Sequence, residues 1–193
     1  MKLILSSCDF GHPKSAQIIK DNLCKPLSDC KVLYFPNEKA TPDKIKSGKY
    51  EARLTALGFA RKNIYVANYF APEKFFDLEI DLIYISGGNT FGTLKRIRDA
   101  GFDRAIVRYV HNGVTYIGGS AGAHIVTADI SHVATYDKDT YGLIDCSGLG
   151  LYGGILICHY TEERQTHLEQ LQTRSIYPVL ALTDDAAIII KDD

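Results

Sequence analysis

Gly118-Gly119-Ser120-Ala121-Gly122 carries a G-x-S-x-G pattern behind the apolar run Val114-Thr115-Tyr116-Ile117 and ahead of the helix-compatible Ala123-His124-Ile125-Val126-Thr127-Ala128. A serine at the apex of such a strand-to-helix turn projects its hydroxyl from the edge of a sheet. There the next backbone N–H and the helix N-terminus favour developing negative charge, which is the chemistry of acyl transfer. The glycines permit a strained turn, and Ala121 leaves room for a substrate. A serine that merely caps a helix needs neither.

A serine hydroxyl is a poor nucleophile near neutral pH, so a base is required, and histidine is the usual one. The chain has six histidines. His111 and His167 fall on polar helix faces, His124 lies one turn beyond Ser120 and is directed away from it, and His132 sits in a polar stretch as a solvated loop residue. His12 belongs to the rim of the first strand-to-helix loop. His159 ends the apolar run 154–158, where its imidazole would emerge at the same sheet edge as Ser120, and it is the expected base. Its neighbour Cys158 would point to the opposite face of the strand, away from that chemistry. The acids between Ser120 and His159 that could orient the imidazole are Asp129, Asp137, Asp139 and Asp145. Asp137 gives the chain order Ser, Asp, His, although the residues alone do not separate it from Asp139. Gly87-Gly88-Asn89-Thr90 follows another apolar run. Its Gly88 N–H, paired with that of Ala121, would make an oxyanion hole in which each donor is worth about 2.7–4 kcal/mol of transition-state stabilisation. Asn89 stands beside that hole as a substrate-binding side chain.

The elements that must position these residues alternate between β-rich apolar runs and amphipathic stretches, the pattern of an α/β fold with a mostly parallel sheet. Strands are expected at 3–6, 31–35, 64–69, 82–86, 114–118, 154–159, 179–182 and 187–191, and helices at 13–24, 43–60, 91–111, 120–128 and 162–174. In such sheets sites lie beyond the carboxyl ends of the strands, where Gly87-Gly88, Ser120 and His159 all fall. No repeat or linker divides the 193 residues, and 46% hydrophobic content supports one core. With 22 basic and 23 acidic residues intermixed, no electrostatic footprint for nucleic acid or an anionic membrane is present. No apolar run resembles a signal segment or a membrane span. Five cysteines without a C-x-x-C pair read as reduced thiols of a soluble cytoplasmic protein. The expected partner is a small peptide substrate, with a homodimer left open.

On Gly87-Gly88-Asn89-Thr90-Phe91, Gly119-Ser120-Ala121-Gly122-Ala123, the strand-closing His159-Tyr160 and Thr183-Asp184-Asp185-Ala186-Ala187, the chain resembles the S51 family of serine peptidases, from about residue 81 onward. The resemblance implies a single three-layer domain like that of the class I glutamine amidotransferases and a Ser-His-Asp relay with no metal or cofactor. It carries over Ser120 as nucleophile, His159 as base, Asp137 as the acid 22 positions before it, and Gly88 and Ala121 as oxyanion donors. The family's aspartyl dipeptidases use an arginine for the substrate's acidic side chain. Arg164 is the matching residue, although only Tyr160-Thr161-Glu162-Glu163 separate it from His159, a shorter interval than theirs. A small-peptide hydrolase acting through an acyl-enzyme is the expected activity, with acidic N-terminal dipeptides as one substrate class. An esterase or amidase, or a non-catalytic carboxylate-binding relative, are the other uses of the same scaffold.

Overall fold

The computed structural model describes residues 1–192. Among the described residues eight strands form: β1 (Lys2–Ser6), β2 (Val32–Phe35), β3 (Ile64–Val66), β4 (Leu82–Ile85), β5 (Thr115–Gly119), β6 (Ile155–Ile157), β7 (Val179–Ala181) and β8 (Ala187–Lys191). The continuous apolar runs Leu3-Ile4-Leu5, Leu82-Ile83-Tyr84-Ile85 and Tyr116-Ile117 are buried throughout, because central parallel strands are covered on both faces. Seven α-helices among the described residues flank them: α1 (Pro13–Asp21), α2 (Pro42–Lys46), α3 (Lys49–Leu57), α4 (Thr90–Asp99), α5 (Phe102–His111), α6 (Ala121–His124) and α7 (Gln165–Arg174). Proline opens α1 and α2 at the first helical position, where its missing N–H costs nothing. On α5 the buried residues Phe102, Ala105, Ile106, Tyr109 and Val110 recur at helical spacing, which lays one stripe of the helix on the core. None of the described helices is long and apolar enough to cross a membrane.

Six strands make one sheet in the order β3-β2-β4-β5-β1-β8, all parallel except β8. This is the expected α/β architecture, with all eight strands at their expected places. Three features depart from the sequence reading. Strands β6 and β7 pair in parallel as a separate two-stranded sheet. The long helices expected at 43–60 and 91–111 each break in two at a left-handed glycine, Gly48 (φ 76°) and Gly101 (φ 73°), a conformation that a helix interior does not tolerate. The helix after Ser120 is a single turn rather than 120–128, since the chain leaves it at Ile125 and Thr127 N–H bonds back to His124.

Parallel register places the ends of β1, β4 and β5 side by side: Ser6 pairs with Gly119, and Ile85 with Gly118. The turn after β5 is packed so tightly that a Cβ on Gly122 would overlap the Ile85 carbonyl. Tyr116 of β5 donates its hydroxyl hydrogen to the Gly122 carbonyl at 2.6 Å. We expect Gly122→Ala to lower the unfolding free energy by roughly 1–3 kcal/mol in urea titration, the usual cost of overpacking. Gly153→Ala, where a Cβ meets nothing within 4 Å, should stay within about 0.5 kcal/mol of the natural chain.

Candidate active site

Ser120 adopts φ 49° and ψ −110°, a region that a side-chain-bearing residue occupies only when its surroundings force it. The forcing groups are visible. Ser120 N–H donates to Ser6 O at 2.9 Å, and its carbonyl accepts from Ala123 and His124 N–H. A Cβ on Gly119 would run into the Asp9 carboxylate, so glycine is required before the serine. Asp9 itself is buried, and burial raises its carboxyl above the ordinary range against the pull of nearby Arg53.

The hydroxyl so presented meets His159, whose Nε2 lies 3.0 Å from Ser120 Oγ. His159 also has a positive φ of 53°. Its backbone N–H donates to Ser7 Oγ at 2.9 Å, and Ser7 in turn donates to Leu182 O at 2.8 Å. One buried serine at the end of β1 thereby ties the segment after β6 to the segment after β7. That second segment carries Asp184, whose Oδ1 stands 2.6 Å from His159 Nδ1. Burial works against charge on Asp184, but hydrogen bonds from His159 and Cys8 outweigh it and hold the carboxyl below its ordinary value. With Asp184 58% exposed, the pair orients the imidazole and adds little to stability. The Cys8 thiol beside it is pushed up to about 11, by burial first and then by Asp184.

Asp137, the acid expected at His159, is not there. Its Oδ2 accepts from Thr90 N–H at 2.9 Å and from Thr90 Oγ1 at 2.8 Å, so it fixes the start of α4. Asp139 is also occupied elsewhere, accepting from Tyr141, Gly142 and Leu143 N–H within its own loop. Asp184 lies beyond His159, outside the Ser120–His159 interval from which chain order draws its candidate acids. The signal was present, since Thr183-Asp184-Asp185 follows an apolar strand just as Ser120 and His159 do.

The glycine loop runs beside the serine as expected, with a Cβ on Gly87 falling 3.3 Å from Ser120 Cβ. Asn89 N–H donates to Glu38 Oε2 and Thr90 N–H to Asp137. Among the described residues, neither Gly88 N–H nor Ala121 N–H donates a hydrogen bond. Asn89 is not free to bind substrate through its side chain. Its Oδ1 caps α4 at Gly92 N–H and its amide donates to Lys138 O. Arg164 is likewise engaged: it donates to the Cys158 carbonyl and its guanidinium lies 4.2 Å from the Tyr136 ring centre.

Two histidines read as remote or solvated are buried behind the site. His124 Nε2 accepts from Cys158 N–H at 3.4 Å, which leaves Nδ1–H to face Thr90 Oγ1 at 3.5 Å. Burial, aided by His132, His159 and Arg164, lowers its pKa to about 3. His132 is buried against it, with ring centres 5.9 Å apart, and contacts the Leu156 carbonyl through Nε2 at 2.7 Å. The polar stretch around His132 in the sequence concealed a short 3-10 turn, Ser131–Thr135, that folds inward.

The family model described as Peptidase family S51 matches residues 3–193. An uncharacterized peptidase from Listeria monocytogenes serovar 1/2a is 33% identical over 158 residues, 76% of this chain and 74% of that one. Peptidase E of Streptomyces coelicolor is 27% identical, covering 60% of this chain and 51% of its own, and that of Citrobacter koseri is 29% identical, covering 58% and 48%. The matched stretch thus spans about half the length of these peptidase E relatives. A crystal structure of a Listeria monocytogenes EGD-e protein provisionally called peptidase E superposes with a TM-score of 0.75 at 22% identity, over 98% of this chain and 93% of that one. At that identity the likeness concerns the fold.

The buried neutral His124 makes stability depend on pH. Its folded pKa, about 3, lies below the unfolded value of 6.5, so the unfolded chain binds the extra proton and stability falls as pH drops from 6.5 toward 3. Between pH 7 and pH 5 the natural chain should lose about 2 kcal/mol more than His124→Gln, at about 1.4 kcal/mol per unit, as read from urea midpoints at the two pH values.

Proposed function

Since the chain belongs to peptidase family S51, we propose that it is a serine peptidase in which Ser120 attacks the carbonyl of a small peptide. His159 takes the hydroxyl proton through Nε2 and returns it to the leaving amine, which yields an acyl-enzyme that water then cleaves. Asp184 holds the imidazole in the Nδ1–H tautomer and stabilises it when charged. Gly88 and Ala121 N–H stabilise the oxyanion. The observation that carries this reading is the continuous row Ser120 Oγ, His159 Nε2, His159 Nδ1, Asp184 Oδ1, with contacts of 3.0 and 2.6 Å. Such a row supports a catalytic over a purely ligand-binding use of the scaffold, because binding a carboxylate needs no base.

The acid assignment and the reaction class can be tested together. Steady-state hydrolysis of Asp-X, Ala-X and Gly-X dipeptides should exceed that of simple acyl esters. Asp184→Asn should lower kcat by ~10⁴-fold, the cost of losing the orienting acid of such a relay, while Asp137→Asn should lower it by less than about ten-fold. The opposite ranking of the two aspartates would return the role to Asp137. Ester cleavage without peptide cleavage would favour an esterase.

A further inference from the structure

We propose that Cys8, His159 and Asp184 together form an inhibitory site for a zinc-class divalent cation. One ligand atom from each of these residues lies within 4.8 Å of the other two. The three come from separate segments, behind β1, behind β6 and ahead of β8, so the sheet and the Ser7 tie hold them together in advance. A thiol, an imidazole and a carboxylate match zinc, which takes sulfur at ~2.3 Å and nitrogen or oxygen at ~2.0–2.2 Å in a tetrahedron, with water in the fourth position. Those bond lengths set ligand atoms roughly 3.5 Å apart. The His159 to Asp184 contact of 2.6 Å therefore has to open, which the mostly exposed Asp184 carboxylate can do. Magnesium and calcium demand more oxygen ligands than the cluster offers.

Binding balances without redox change. The metal displaces the Cys8 thiol proton to solvent, Asp184 binds as its carboxylate, and the lone pair of His159 Nδ1 goes to the metal. The imidazole proton then resides on Nε2, the nitrogen facing Ser120. An Nε2–H group donates to the serine and accepts nothing, so the base is lost. The inhibition rests on the serine peptidase reading given above, whereas the metal capture does not.

Cobalt(II) serves as the spectroscopic probe and zinc(II) as its competitor, with the full chain. One equivalent of cobalt should give a near-ultraviolet thiolate charge-transfer band that zinc abolishes. Cys8→Ser should remove the band and weaken zinc binding by at least about ten-fold, Asp184→Asn should weaken it similarly, and Cys24→Ser should change neither. Zinc should slow fluorophosphonate labelling of Ser120, read as the ratio with and without metal, in the natural chain and not in Cys8→Ser; magnesium should leave the ratio at one. A band that persists in Cys8→Ser, absent zinc binding, or equal slowing by zinc in both chains would overturn the proposal. If the metal-free chain neither labels nor hydrolyses peptides, the peptidase reading fails and the cobalt band still decides the site.

Discussion

The backbone of Ser120 is the constraint on which the rest of the site depends. A non-glycine residue at φ 49° and ψ −110° carries about 1–3 kcal/mol of strain, and only a surrounding structure that over-determines the turn can hold it. Four contacts do so here: the Ser6 carbonyl on the serine N–H, the first turn of α6 on its carbonyl, the Tyr116 hydroxyl on Gly122, and the Ile85 carbonyl against the Gly122 Cα. All come from β1, β4 or β5, or from residues adjoining them. The strained turn is therefore a product of sheet register, and Ser120 is as rigid as the core beneath it.

Around that turn two carboxylates divide the work by position. Asp184 sits at the open edge, where it meets His159 and solvent. Asp137 lies further in and locks Thr90, the first residue of α4, while Thr90 faces His124 and His124 accepts from the backbone just before His159. This second row links the Gly87-Gly88 loop to the segment that ends at His159. His124 has to be neutral there, because it must accept through Nε2, and its burial keeps it so. Arg164 extends the same support by holding the Cys158 carbonyl, a structural use of a side chain that sequence matching assigns to substrate.

What was legible in the sequence follows from what each residue needs. Ser120, the Gly87-Gly88 turn and His159 were found because strand-end position and residue type depend on local pattern, and parallel strands must end on one edge. The eight strands were legible for the same reason. The carboxylate beside His159 was not, since it depends on which loop approaches the imidazole, a tertiary fact that chain order does not encode. Buried His132 was hidden by polar neighbours that face outward while it faces in. The helix breaks at Gly48 and Gly101 were each written in a single glycine, outweighed in the reading by the apolar periodicity on either side.

The central claim is that the strained turn presents Ser120 as a nucleophile. Reaction of the full chain with a fluorophosphonate, followed by peptide mapping in the mass spectrometer, tests it most directly. The account predicts one adduct, on the peptide containing Ser120, that disappears in Ser120→Ala. An unlabelled natural chain, or an adduct that survives in Ser120→Ala, would contradict it.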